Sequence, residues 1–238
     1  MIISTVDAAG GPVKLLGIEF DNKVIMAMAV RQCATSAALK TRALLRAQRY
    51  YSTKDMLMLY KSHVLSFIEY RTPGLHFAST CHLHNIEHVQ ARFLREIGVS
   101  EEDAFISFNL APLCARRDIA ILGCIHRASL QQGPPGLWKF FCRNYIPHLS
   151  SARRRQRHSF QIADWPIGRD LQIMRRSALG MIRVYNLLPQ EAAEKTDVKT
   201  FQSELSQLLR DRLIAGDPNW RFVFSPRIQL FQYHHLAT

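Results

Sequence analysis

The sequence predicts a mainly α-helical protein with a small N-terminal β-hairpin and a second helical segment beyond a Gly/Pro-rich break. Three observations carry this expectation. Apolar residues recur at helical spacing through most of the chain after residue 27. Two of those stretches open on serine-led capping signatures, Ser52-Thr53-Lys54-Asp55 and Ser100-Glu101-Glu102-Asp103. The strong breakers, Pro73-Gly74, Gly98 and Gln131 to Gly136, fall between the periodic stretches rather than inside them.

Taken in order, Val13 to Phe20 is a short apolar run, Asp21-Asn22-Lys23 has turn chemistry, and Val24-Ile25-Met26 resumes the apolar character. This pattern predicts a hairpin turning at 21–23. From Ala27 to Tyr50 the chain is rich in Ala, Leu and Arg with no Gly or Pro, which predicts one long helix. After the Ser52 cap, Met56, Tyr60, Val64 and Phe67/Ile68 share a face until Pro73-Gly74 ends the helix. A further helix places Leu83, Ile86, Val89, Phe93, Leu94 and Ile97 inward and stops at Gly98, and the Ser100 cap opens a short one. Pro112, at a first-turn position, opens another that runs to about Leu130. Beyond the break, residues 170–187 and 197–214 read as helical, the second with Val198, Phe201, Leu205, Leu208, Leu209 and Leu213 on one stripe and Glu204, Arg210 and Arg212 opposite. The expected organisation is a hairpin with a helical bundle over 1–130, a basic and aromatic linker over 131–168, and a C-terminal helical segment over 169–238.

The composition narrows the class. With 238 residues, 47% of them apolar, the chain can build a substantial core. No stretch approaches the roughly 18 apolar residues of a membrane span, and the first residues lack the basic and apolar regions of a secretory signal. A soluble intracellular protein without membrane contact is expected, nuclear or cytoplasmic being left open. Five cysteines without a Cys-x-x-Cys pair suit a reducing compartment. The net charge of +12 and pI near 9.9 favour a polyanionic partner, nucleic acid or an anionic lipid surface. Arginine supplies 23 of the 31 cations, and its planar fork pairs phosphate oxygens bidentately. The charge falls in two blocks, 31–71 and 113–157, separated by a net acidic stretch.

Within the first block Arg42, Arg46 and Arg49 recur at i, i+4 and i+7, one helical face, with Tyr50 and Tyr51 following. Such a face can track a phosphate backbone or simply be solvated. In the second, Arg153, Arg154, Arg155, Arg157 and His158 precede Phe160 and Trp165. Guanidinium groups beside rings can grip a single strand, while a nuclear-localisation signal or a solvated loop explains the same residues. Cys81, His84 and His88 lie close to one helical face, but their spacing matches no standard zinc finger. Surface or cap histidines are the expected reading there, and neither a metal nor a cofactor is expected. No Gly-x-Ser-x-Gly, His-Glu-x-x-His, P-loop or Gly-x-Gly-x-x-Gly motif is present.

The order KLLGIEFD (14–21), a basic helix, LYKSHVLSFIEY (59–70), HNIEHVQARFLREIG (84–98), LCARRDIAILGCIHRA (113–128) and RSALGMIRVYNLLPQEAAEKTDVKTFQSEL (176–205) resembles the region after the catalytic palm of non-LTR, LINE-type retrotransposon reverse transcriptases. The likeness covers about residues 13–209. Leu15, Tyr185 and Gln202 depart from that family's usual Tyr, Trp and Lys. The resemblance implies a primer grip at Lys14 to Gly17 and a thumb-like helical bundle along a primer-template duplex. Its basic contacts would come from Lys14, Arg42, Arg46, Arg49 and Lys61. The family's polymerase motifs lie upstream of its grip, only thirteen residues precede Lys14, and the chain contains no Asp-Asp pair to hold two metal ions. The Glu101-Glu102-Asp103 cluster reads as charge at a helix N-terminus. The expectation is therefore a truncated, non-catalytic reverse-transcriptase remnant, lacking the palm and binding RNA or DNA, as duplex or single strand, through basic helices. The alternative is a helical scaffold for protein contacts with no nucleic-acid role. In either case apolar surface on the hairpin, once a palm is missing, would favour self-association.

Overall fold

The computed structural model describes residues 13–143, 158–163, 174 and 176–226. It is mainly helical with a small two-stranded antiparallel hairpin at its N-terminal side, as the periodicity predicts. Two compact units divide between Leu113 and Cys114. The helix expected at the end of the first segment thus groups with the second unit.

In the first unit, strands β1 (Val13–Leu15) and β2 (Ile18–Phe20) pair in the register Val13 with Phe20, Lys14 with Glu19 and Leu15 with Ile18. The turn is at Leu16-Gly17, not at Asp21-Asn22-Lys23, and both turn residues have positive φ, 49° and 78°. A two-residue turn of that hand matches the twist of the flanking strands, and Gly17 supplies one of its left-handed positions without strain. Asp21 serves a different end. Its carboxylate accepts amide hydrogen bonds from Lys23 (3.0 Å), Ile25 (2.9 Å) and Met26 (2.6 Å), bracketing a segment in which Val24 and Met26 are held at positive φ. Partial burial opposes ionisation of Asp21, but these amides outweigh it and hold the carboxyl below its ordinary range.

That bracket feeds helix α1 (Ala27–Arg46), which ends before a 3₁₀ turn, Gln48–Tyr50. The buried face of α1 carries Ala29, Cys33, Ala37 and Thr41 at four-residue spacing, with Val30 beside them. Small side chains on one ridge let a neighbouring helix approach closely, and Thr41 satisfies its buried hydroxyl on the Ala37 carbonyl at 2.9 Å. The neighbour is the long helix Thr80–Glu96.

Between them, α2 (Thr53–Tyr60) begins with Ser52 accepting the Asp55 amide, as the capping signature predicts. It continues through a π-helical turn, Lys61–Leu65, into α3 (Ser66–Glu69). Pro73-Gly74 does not simply end that run. Proline is tolerated in a first turn, and α4 (Thr72–Leu75) starts there. Ile18 and Phe20 of the hairpin lie over Gly74, where a Cβ would meet them at 3.0 and 3.2 Å. α5 (Thr80–Glu96) buries Leu83, Ile86, Val89, Phe93 and Leu94, and the Phe93 ring stacks on Tyr60 with centroids 4.3 Å apart. Gly98, at φ 71°, turns the chain away, and α6 (Glu101–Phe108) starts on Ser100, which accepts the Asp103 amide at 2.9 Å.

In the second unit, α7 (Leu113–Ser129) is followed by a short turn, α8 (Pro135–Trp138). The single helix expected over 170–187 is instead, across the residues described, a 3₁₀ turn Ala178–Met181 and α9 (Ile182–Tyr185). Ser177 caps the start by accepting the Leu179 amide, and the helix stops after one turn at Asn186. Residues 170–173 and 175 lie outside the described residues. A turn, α10 (Gln190–Ala193), leads to α11 (Val198–Ile214), capped by Asp197 and burying Phe201, Leu205 and Leu209. Val198, Leu208 and Leu213, expected on the same stripe, are half-buried.

The centre of this unit is polar. The His126 ring stacks on Phe201 with centroids 4.0 Å apart. Its Nε2–H donates to the Lys195 carbonyl at 2.7 Å, so Nδ1 is free to accept the Tyr185 hydroxyl at 2.9 Å. Ser129 Oγ stands 3.3 Å from the same hydroxyl and accepts Arg143 Nε at 3.1 Å. Tyr185 is fully buried, and its hydroxyl lies between His126 Nδ1 and Ser129 Oγ. Next to it the Asn186 side chain pairs both ways with the Ile162 backbone, at 2.9 and 2.8 Å, in the manner of a strand neighbour.

Candidate nucleic-acid interface

From Lys23 to Lys54 the chain has no acidic residue, and α1 occupies most of that stretch. Because its inner ridge is fixed by packing, its outer face is fixed as well. Arg31, Arg42 and Arg46 are all exposed on that outer side, Arg31 and Arg42 being three helical turns apart. Among the described residues, none of the three is paired with a carboxylate or a carbonyl. Arg31 to Arg46 spans about 22 Å at 1.5 Å per residue, several phosphate spacings of a nucleic-acid strand. Arg49, one turn further on, leaves the helix register and lays its guanidinium on the Tyr50 ring, 4.6 Å from the centroid. Tyr50, Tyr51 and Lys54 are exposed.

Other cations of the 31–71 block turn elsewhere. Lys40 and Arg71 both sit on the Phe67 ring, at 5.1 and 4.0 Å, and Arg71 also donates to the Phe67 carbonyl. Lys61, expected as a nucleic-acid contact, is half-buried and its ammonium donates to the Phe108 carbonyl at the end of α6, where a positive charge is favoured. Lys14 is exposed on β1 opposite Glu19, whose carboxylate accepts Gln32 Nε2 at 3.1 Å.

In the 113–157 block, Arg117 and His126 are buried, and Arg143 is engaged by Ser129 Oγ, the Ala193 carbonyl and the Phe160 ring at 4.3 Å. Among the described cations of this block Arg117 is thus buried and Arg116 and Arg143 are half-buried, while Arg127 and Lys139 are exposed. His158 is buried too, with Nε2 3.0 Å from the Tyr185 carbonyl. Arg153, Arg154, Arg155, Arg157 and Trp165 lie outside the described residues. Burial drives the His126 imidazole down to about 4, the Lys195 carbonyl partly offsetting it and Arg143 and His158 adding to it. Burial likewise lowers His158, against the pull of the Tyr185 carbonyl and together with Arg143.

On α5, His84 and His88 are exposed with ring centroids 4.2 Å apart, and His84 Nδ1 lies 3.6 Å from Glu87. Cys81 is turned to Ser79 Oγ at 2.9 Å. Among the described residues no group of three metal-ligating side chains converges.

Sequence periodicity brought out Arg42 and Arg46 but left out Arg31 as a contact, although its spacing of eleven residues from Arg42 is a whole number of turns. The His126–Tyr185–Arg143 network carries no local signal, since its members come from three distant places in the chain. No helix of the described residues is long and apolar enough to cross a membrane. Comparison with known proteins finds no match among family models, curated proteins or solved structures.

Proposed function

We propose that this chain is a non-catalytic nucleic-acid-binding body of the thumb type, related to LINE-type reverse transcriptases, that holds the polyphosphate backbone of RNA or DNA on the outer face of α1. The observation that carries the reading is the row Arg31, Arg42 and Arg46, exposed, unpaired with any carboxylate among the described residues and continued by Arg49. An exposed arginine row on a rigid helix offers bidentate phosphate contacts with little to desolvate. The sequence resemblance supports the thumb assignment and nothing more specific. The non-catalytic part rests on the sequence alone, and in the acidic cluster at 101–103 Asp103 receives the Ser100 hydroxyl while all three charges stand at the start of α6.

Converting Arg42, Arg46 and Arg49 together to Gln tests the reading. Each lost phosphate contact flattens the slope of log K against log salt by about 0.7 to 0.9, so the triple variant should lose roughly 2 to 3 units of slope. Gln at Arg92, Arg95 and Lys199, exposed cations outside the two basic blocks, provides the charge-matched control. Equal losses in the two variants would remove the reading. A second reading, a scaffold for protein contacts, is favoured by the exposed apolar side chains Leu16 (73%), Leu39 (59%) and Met28 (58%). It predicts the equal losses just described. Template-dependent primer extension that follows the protein through purification would overturn the non-catalytic assignment.

A further inference from the structure

The corner between α1 and α2 presents two adjacent tyrosines, Tyr50 70% and Tyr51 49% exposed. Exposed aromatic rings on long flexible segments are unremarkable, but this corner is held. The Tyr50 amide donates to the Ala47 carbonyl at 3.0 Å and the Tyr51 amide to the Gln48 carbonyl at 3.2 Å. Gln48 in turn donates through Nε2 to the Glu96 carbonyl at 3.1 Å, tying the corner to the end of α5. Tyr51 is extended, and the next residue, Ser52, is the cap of α2. The Arg49 guanidinium lies over the Tyr50 ring, 4.6 Å from its centroid, and the side chain still keeps most of its surface in solvent.

We infer that Tyr50 and Tyr51 are a stacking platform for unpaired bases, so that the strand lying along Arg42 and Arg46 is single-stranded at this corner. The inference rests on the nucleic-acid reading above and specifies the form of its ligand. Arginines alone do not distinguish single strand from duplex, because both present phosphates. Rings do. In a duplex interior both faces of each base are already stacked, whereas every unpaired base offers a free π-face, whatever its identity. The charge row and the ring pair adjoin, so one strand can place phosphates on α1 and bases on the corner in sequence.

The test uses the full chain and three fluorescent probes of equal length, about a dozen nucleotides: an oligothymidylate, a blunt DNA duplex, and an abasic strand that keeps sugars and phosphates but carries no bases. The oligothymidylate should bind more tightly than the abasic strand. Tyr50→Leu with Tyr51→Leu should weaken oligothymidylate binding by roughly 5- to 100-fold per ring removed, with the salt slope and the affinity for the abasic strand unchanged. Unchanged abasic binding also shows that the variant is folded. Tyr50→Phe with Tyr51→Phe keeps the π-faces and should bind as the parent does. Equal parental affinity for the base-bearing and abasic strands, or undiminished oligothymidylate binding by the leucine variant, overturns the inference. If those results coincide with a flattened slope in the Arg42, Arg46 and Arg49 triple variant, the polyphosphate reading stands and only the platform falls. If no probe responds to either set of changes, both fall.

Discussion

Acidification should unfold the second unit first, and His126 sets the size of the effect. The imidazole is completely buried, its Nε2–H is committed to the Lys195 carbonyl, and its Nδ1 accepts the Tyr185 hydroxyl. A proton added at Nδ1 would place a charge in the core near Arg143 and His158. The folded chain accordingly protonates His126 only near pH 4, against about 6.5 for a free imidazole. Between those values the unfolded chain binds the proton and the folded chain does not, so stability is fully present above about pH 6.5 and is lost as the pH falls toward 4. The linkage integral gives a loss of about 2 kcal/mol at pH 5 relative to pH 8. His158, lowered in the same direction, adds to it. Asp21 and Asp197, both held below the ordinary carboxylate range, contribute only at more acidic pH. Trp138 and Trp220 belong to the second unit and no tryptophan falls in residues 1–113, so tryptophan fluorescence in a urea titration carries no signal from the first unit. With a urea slope of about 1 to 2 kcal/mol per molar, the midpoint should fall by about 1 to 2 M between pH 8 and pH 5. His126→Gln removes the titrating group and should remove most of that fall. A midpoint independent of pH in the parent, or an undiminished fall in the variant, would refute the burial argument.

Three further outcomes follow from the packing. Asp21→Ala removes the acceptor of three amides that hold Val24 and Met26 at positive φ, and should cost about 1 to 3 kcal/mol, read as faster amide exchange at the start of α1. Gly123 lies where a Cβ would fall 2.9 Å from Gln202 Cδ, so Gly123→Ala alone should change stability by less than about 1 kcal/mol, its helix propensity offset by the displaced amide. Combined with Gln202→Ala it should stabilise more than the sum of the single changes, and a strictly additive double-mutant cycle would show that the contact does not matter. Gly74→Ala should loosen the hairpin by crowding Ile18 and Phe20, measured as increased exchange at Ile18 and Phe20 with α5 unaffected.

Features fixed by neighbours in sequence could be read without the structure. Ser52 and Ser100 cap helices because a hydroxyl three residues before an amide reaches it in almost any context. The long helix α1 follows from residue type, and its outward arginines follow from period. The hairpin turn was misplaced for a physical reason. Asp-Asn-Lys has better turn chemistry than Leu-Gly, but the two-residue turn of this hairpin takes two left-handed residues between the paired strands, and Gly17 provides one while Asp21 braces the entry to α1. Pro73 reads as a stop because proline cannot continue a helix, although it can stand in the first turn of the next one, and the expected helix over 170–187 breaks at Ser177 and Asn186, both of which spend their side chains on the backbone. The polar centre of the second unit was illegible. Lys195, Tyr185 and Arg143 meet His126 only through tertiary packing, and nothing in the composition of 113–157 marks Arg117 and Arg143 as the inward ones.

The α1 arginines and Arg143 therefore differ in what a substitution can report. On α1 the ridge of Ala29, Cys33, Ala37 and Thr41 carries the packing, while Arg31, Arg42 and Arg46 stand opposite it and touch nothing that holds the helix in place. Changes there alter charge and leave the fold alone, so a lost affinity is a lost contact. Arg143 is the opposite case. Its guanidinium joins Ser129, the Ala193 carbonyl and Phe160, and its charge helps to keep His126 neutral. Neutralising Arg143 would lower the positive charge and disturb the core together, and weaker nucleic-acid binding in that variant would say nothing about an interface. Charge counted along the sequence treats the two blocks alike, and it is the hydrogen-bond partners of each cation that separate an outward row from an internal tie.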